Sequence, residues 1–200
     1  MTRVYVRPSV KTRKRRNRRR AITLFVYIAI VLLLAWYFDS QSTTTVIFVR
    51  HADVNQPQAN DATSELNAVG HERAELLADF LESVDVVQGV NAIYVSPTTR
   101  TLQTAEPLAK RLSVEPMVAD HTDVVGFMKD VLYEHTREIV LVVTESEMIA
   151  PLVEELHGSK NIAEFAPDEY DKIFIVTIPR WGKVKTLQLR YGIGWSPELH

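Results

Sequence analysis

The sequence predicts an α/β fold: a three-layer α/β/α sandwich built on a mainly parallel sheet and preceded by one transmembrane helix. Three observations carry that expectation. Short apolar β-branched runs alternate with amphipathic helical stretches from residue 46 onward, the order that places a parallel sheet between helices. An uncharged apolar segment fills residues 21–38, directly after a basic tail. The chain of 200 residues, 46% hydrophobic and 24% charged, has ordinary globular composition, which excludes a disordered, collagen-like or multi-domain protein.

Taken in order, residues 1–20 form a basic tail with ten Lys or Arg and no acidic residue. The remaining chain therefore carries 13 basic against 25 acidic residues, so the overall charge of -2 conceals a cationic tail joined to an anionic body. Residues 21–38, AITLFVYIAIVLLLAWYF, would span roughly 27 Å as a helix, enough to cross a bilayer. Arg18, Arg19 and Arg20 abut one end, while Trp36, Tyr37 and Asp39 mark the other. The positive-inside rule then keeps the tail cytoplasmic and exports the body to the periplasm or the extracellular side. The apolar run exceeds the usual core of a signal peptide, about 7 to 15 residues, and Ser40-x-Ser42 is a poor cleavage site, so an uncleaved anchor is expected. Basic residues without interleaved aromatics suit lipid headgroups better than a nucleic-acid platform. An acidic exported body likewise disfavours nucleic acid as a partner of the soluble domain. With no cysteine, a disulfide scaffold, a thiolate metal site and a cysteine nucleophile are excluded.

A polar linker is expected over 39–44 and the globular domain over 45–200. Val46–Val49 reads as the first strand and Leu66–Val84 as a helix, with Val69, Leu76, Leu77, Phe80 and Leu81 at helical spacing and Asn67 as its cap. Ala92–Val95 is the second strand, Thr99–Leu112 a helix, Val114–Ala119 the third strand and Val124–His135 a helix. Ile139–Val143 forms the fourth strand, and Met148–His157 a helix closed by Gly158. Ile173–Ile178 and Val184–Leu189, around Pro179-Arg180-Trp181-Gly182-Lys183, read as a terminal hairpin.

Ligands of open α/β sheets gather at the carboxyl ends of the strands, which directs attention to the residues after each apolar run. These are Arg50-His51-Ala52-Asp53, Ser96-Pro97-Thr98-Thr99-Arg100-Thr101, Asp120-His121-Thr122-Asp123 and Thr144-Glu145-Ser146-Glu147. Two arginines, two histidines and several carboxylates at one edge suit an anion site containing a nucleophile. His71, His157, His135 and His200 are expected to be surface or structural, as are Trp181, Tyr191 and Trp195.

These segments resemble the histidine phosphatase superfamily, also called phosphoglycerate mutase-like. The resemblance rests on VIFVRHAD, LNAVGHERAELLADFL and IYVSPTTRTLQTAEPLAKRL, followed by EIVLVV, IAPLVEEL, EYDKIFIVTI and LQLRYG, and covers residues 45–192. It implies hydrolysis of a phosphate monoester through a phosphohistidine at His51, with Arg50 and Arg100 holding phosphate oxygens and no metal or organic cofactor. Asp123 would be the general acid, although a helix cap before Val124 is an equally good reading.

One position departs from the family pattern. After EIVLVV the family has Gly-His-Ser, whereas this chain has Thr144-Glu145-Ser146. An ionised Glu145 about 4 Å from a phosphate costs on the order of 4 kcal/mol at an effective dielectric of about 20. Three outcomes follow. Crowding with phosphate could raise the Glu145 pKa so that the neutral acid donates a hydrogen bond or a proton, with activity rising in acid. His121 could take over. Or the domain could be an impaired pseudo-phosphatase that binds a phospho-ligand or a protein partner at the membrane.

Overall fold

A computed structural model describes residues 10–40, 43–55, 62–83 and 89–192. The chain divides into two compact units, residues 1–42 and 43–200. Residues 56–61, Trp195 and His200 lie outside the described residues.

In the first unit, helix α1 (Val10–Ser40) continues from the basic run into the apolar segment without a break. Arg18–Tyr37 is long and apolar enough to cross a membrane, with mean hydropathy 2.0, and none of it is buried against protein. Leu24, Phe25, Leu32, Leu33 and Trp36 are all exposed. A helix apolar on every side lacks the polar face that a helix resting on a globular core presents to water.

In the second unit the elements follow as β1 (Thr43–Arg50), α2 (Ala68–Ser83), β2 (Ala92–Val95), α3 (Thr99–Leu112), β3 (Met117–Val118), α4 (Val124–Glu134), β4 (Ile139–Thr144), α5 (Ser146–Glu155), β5 (Lys172–Pro179) and β6 (Lys185–Arg190). They form one six-stranded sheet in the order β3-β2-β4-β1-β5-β6. The first four strands are mutually parallel, and the β5–β6 hairpin adds an antiparallel edge to β1.

Continuous apolar strands are what a sheet buried on both faces requires, and their two-residue period sorts them into two cores. Ile47, Val49, Ile93, Val95, Leu141 and Val143 face one side with Leu77, Leu81 and Leu108 of α2 and α3. Val46, Phe48, Tyr94, Val140 and Val142 face the other with Met128, Val131, Ile149 and Leu152 of α4 and α5. A one-residue slip of any central strand would exchange its two sets, so the register is fixed by packing on both faces.

Differences from the expected boundaries have local causes. β1 begins at Thr43 because Thr43, Thr44 and Thr45 pair with Pro179, Ile178 and Thr177, which draws polar residues out of the expected linker. β3 contracts to two residues at the sheet edge, where Met117 and Val118 are exposed and only β2 pairs with it. α5 starts at Ser146, two residues before the apolar pattern. Its end is set by His157, which takes the left-handed conformation at φ 57°. Gly158 follows for a steric reason instead: a Cβ there would lie 2.7 Å from both Thr186 Oγ1 and Val153 Cγ1. Asn67 caps α2 as expected, its Oδ1 accepting from Gly70 N at 2.8 Å.

Candidate active site

Sheet register brings the strand ends into line. Arg50 is paired with Thr144, and Val95 with Val143, so His51, Ser96 and Glu145 follow side by side at the same sheet edge. The backbone extends that alignment, with His51 N donating to Thr144 O at 3.0 Å and Ser96 N to Val143 O at 3.1 Å.

His51 is 4% exposed. Its Nδ1 lies 2.8 Å from the carbonyl oxygen of Ala52. A carbonyl only accepts, so Nδ1 carries the hydrogen and the Nε2 lone pair is left free to attack an electrophile. Burial, helped by the Arg100 and Arg50 charges, pulls the imidazole down to about 4 against the opposing Ala52 hydrogen bond. The ring is therefore neutral at physiological pH, as a nucleophile must be. Ala52 is itself anchored, its N–H donating to Thr104 Oγ1 at 2.9 Å.

Arg50 is 5% exposed. Its Nη1 donates to the carbonyl oxygens of Ala166 and Glu169 at 3.1 and 3.0 Å. Its guanidinium lies 4.2 Å from the centre of the Tyr170 ring, and that ring stands 5.8 Å from His51. Arg50 Nε is buried and makes no hydrogen bond among the described residues. A charged donor held in place with one N–H unused is arranged to accept an anion.

Glu145, at the mouth of α5, faces the N-terminus of α3. Its Oε1 accepts from Ser96 Oγ at 3.0 Å, Thr98 Oγ1 at 3.2 Å and Arg100 Nη2 at 3.4 Å. Burial raises the carboxyl pKa, but these donors and the Arg100 charge outweigh it and hold Glu145 below the usual carboxylate range. The ligand-free site thus contains an ionised Glu145, whereas the protonated acid expected from sequence belongs to the phosphate-bound site. Arg100, Glu145, Ser96, Thr98 and His121 line a cavity of about 260 Å³.

Asp123 caps α4, its side chain accepting from Gly126 N at 3.1 Å, and it is exposed. It does not line the cavity that holds Arg100 and Glu145. His121 does, and is 2% exposed. His135 belongs to the opposite edge, bonded to Glu138 Oε2 at 2.8 Å and to Tyr94 OH at 2.9 Å. Tyr191 is buried and packs on Phe80.

Sequence reasoning passed over Tyr170, Ser96 and Thr98 as individual contributors. The two hydroxyls stood inside a motif already noted, and hydroxyls before a helix that also carries an arginine are a usable signal. The carbonyl oxygens that hold Arg50 leave no trace in residue identity. Asp53 was visible but its task was not: it pairs with Arg73 of α2, tying the loop after β1 to that helix. Gly70 makes the approach possible, since a Cβ there would collide with the Asp53 carbonyl. Among the described residues no cluster of His, Asp or Glu could hold a metal ion.

The model of the histidine phosphatase superfamily (branch 1) matches residues 46–123. No curated protein sequence matches the chain. Among solved structures, the chain is similar to the protein histidine phosphatase SixA complexed with tungstate, at 23% identity and TM-score 0.59, covering 73% of this chain and 96% of that one. It is also similar to a mycobacterial glucosyl-3-phosphoglycerate phosphatase (12%, TM-score 0.53, 74% and 98% covered). A third is a phosphoserine phosphatase mutant from Entamoeba histolytica in complex with phosphoserine (14%, TM-score 0.52, 75% and 97% covered). At these identities the structural likeness establishes the fold. Together with the match over 46–123 it supports placement in the histidine phosphatase superfamily.

Proposed function

We propose that the chain is a phosphate-monoester hydrolase of the histidine phosphatase type that works through phospho-His51 and is restrained by Glu145. The observation that carries this reading is the 2.8 Å contact of His51 Nδ1 with the Ala52 carbonyl, which leaves Nε2 of a neutral ring free in the field of two buried arginines. In the first step Nε2 attacks phosphorus as the bond to the leaving oxygen breaks, and in the second water releases phosphate from the ring. Arg50 and Arg100 hold the phosphoryl oxygens as charge spreads over them, a task for which planar guanidinium forks are suited. No cofactor enters this scheme. Glu145 opposes it at neutral pH, because its carboxylate occupies Arg100 and would face the phosphate. The related phosphatases act on small molecules or proteins, and the acidic surroundings of Arg100 leave the substrate class at phosphate monoesters or another anionic small molecule.

A second reading is favoured by the same carboxylate: a domain that keeps its anion site but binds a phospho-ligand or a protein partner without turnover. In either case we place the domain at a membrane, anchored by Arg18–Tyr37, with the basic tail cytoplasmic and the acidic body exported.

The deciding experiment is hydrolysis of an aryl phosphate by the full chain in detergent micelles from pH 4 to 7.5, beside His51→Ala and Glu145→His. Hydrolysis that needs His51 and increases toward acid supports the enzyme. An inactive natural chain that becomes active as Glu145→His supports the binding domain. Activity that survives His51→Ala would overturn the phosphohistidine route.

A further inference from the structure

The cavity beside Arg100 is lined by a histidine that the scheme above leaves unused. His121 follows β3, is 2% exposed, and stacks on Phe127 of α4 with ring centres 4.4 Å apart. Its Nδ1 lies 2.9 Å from Thr144 Oγ1, and that hydroxyl also reaches Glu145 Oε2 at 3.5 Å. A carboxylate can only accept, so the Thr144 hydroxyl donates to Glu145 and accepts from His121 Nδ1–H. This leaves His121 Nε2, buried and without a hydrogen-bond partner among the described residues, on a ring that lines the cavity. A buried polar atom without a partner is costly, and its position in the cavity that Arg100 lines gives it a use.

We propose that His121, through Nε2, exchanges the proton of the reaction, giving it to the departing oxygen and recovering it from water. The proposal rests on the His51 route. When the substrate binds, the free His121 Nε2 takes up a proton from solvent; His51 Nε2 then forms a bond to phosphorus while the phosphorus–oxygen bond to the leaving group breaks, and the departing oxygen keeps the bonding electrons and takes that proton from His121 Nε2–H. Water then attacks phosphorus, the phosphorus–nitrogen bond returns its electrons to His51, and the proton released by water passes to His121. The alcohol and phosphate leave, His121 Nε2 returns its proton to solvent, and both rings regain their starting states.

The charges around His121 fit this cycle. Asp120 lies on its own loop, Glu145 follows β4, and Arg100 of α3 and Glu147 of α5 line the same cavity. Burial lowers the free ring from its ordinary value against the pull of Glu145 and Asp120. A bound phosphate adds negative charge to that cavity and raises the ring. The position after β4 has thus received a carboxylate, and the protonatable ring stands on the neighbouring strand end, linked to that carboxylate by one hydroxyl.

The test compares two substrates with the full chain in detergent micelles. A general acid matters for a poor leaving group and hardly at all for a good one. His121→Gln should slow hydrolysis of an alkyl phosphate by about a hundredfold and that of 2,4-dinitrophenyl phosphate by less than about threefold. Equal losses on the two would overturn the role of His121 while leaving the His51 route intact. Absence of His51-dependent turnover in the natural chain would overturn both. Should His121→Gln not fold, ring NMR of the natural chain with and without tungstate decides. The His121 midpoint should move upward when tungstate binds, and an unmoved midpoint would overturn the proposal.

Discussion

Replacing Glu145 by Gln tests the electrostatics of the site most directly. The amide keeps an oxygen for the Ser96 and Thr98 hydroxyls but removes the charge that lies 3.4 Å from Arg100. An oxyanion bound to the same guanidinium would sit about 4 to 5 Å from that charge, costing roughly 4 kcal/mol per unit charge at an effective dielectric of about 20. That corresponds to about a thousandfold in affinity, and screening at the open side of the cavity brings the lower bound to about tenfold. Tungstate or phosphate titrated calorimetrically at pH 7 should therefore bind about tenfold to a thousandfold more tightly to Glu145→Gln. Unchanged or weaker binding would refute the view that Glu145 competes with the ligand for Arg100. The same substitution has a signed effect on stability. Glu145 has a depressed folded pKa, so its contribution is present above the unfolded carboxyl pKa and is lost as pH falls through the folded value. Glu145→Gln should melt lower than the natural chain at pH 7 and lack that share of acid destabilisation.

Further outcomes follow from the same geometry. Asp123→Ala should lower unfolding stability by about 1 kcal/mol through loss of the α4 cap and leave kcat unchanged; a large fall in kcat without loss of stability would favour Asp123 as the acid over its reading as a cap. Gly158→Ala should destabilise by about 1 to 3 kcal/mol in denaturant melts, because its Cβ meets Thr186 and Val153 at 2.7 Å. His51 is neutral and buried with its pKa lowered to about 4, so the unfolded chain takes up the proton first and stability should fall as pH drops from about 6.5 toward 4, by on the order of 3 kcal/mol. His51→Gln should flatten that part of a melting-temperature profile. Arg50→Lys should reduce phosphate binding and rate together by about tenfold or more, since one ammonium cannot reach two carbonyls and an anion with the guanidinium's fixed fork.

What the sequence made legible follows from which interactions are repeated and which are single. β-branched runs flanked by helical periodicity report burial many times over, so the order of strands and helices could be read before any contact was known. The direction of each strand end could be read too, because it follows from alternation, and it placed Arg50, His51, Arg100 and Glu145 at one edge. Edge effects were harder: β3 shrank to Met117–Val118 because an apolar run at the sheet margin has one neighbour to pair with, and residue identity does not say which run will be marginal. At the site, the charge state of Glu145 was illegible for a deeper reason. A carboxylate beside a phosphate site and a carboxylate beside an arginine are the same letter, and they titrate in opposite directions. Only the three donors converging on Oε1 decide between them. Those donors favour the ionised form in the empty site, where a second titratable group has a free nitrogen that is visible only in three dimensions. His121 Nε2 is such a group: on the proposal made above, the carboxylate after β4 and the buried ring after β3 act together across Thr144.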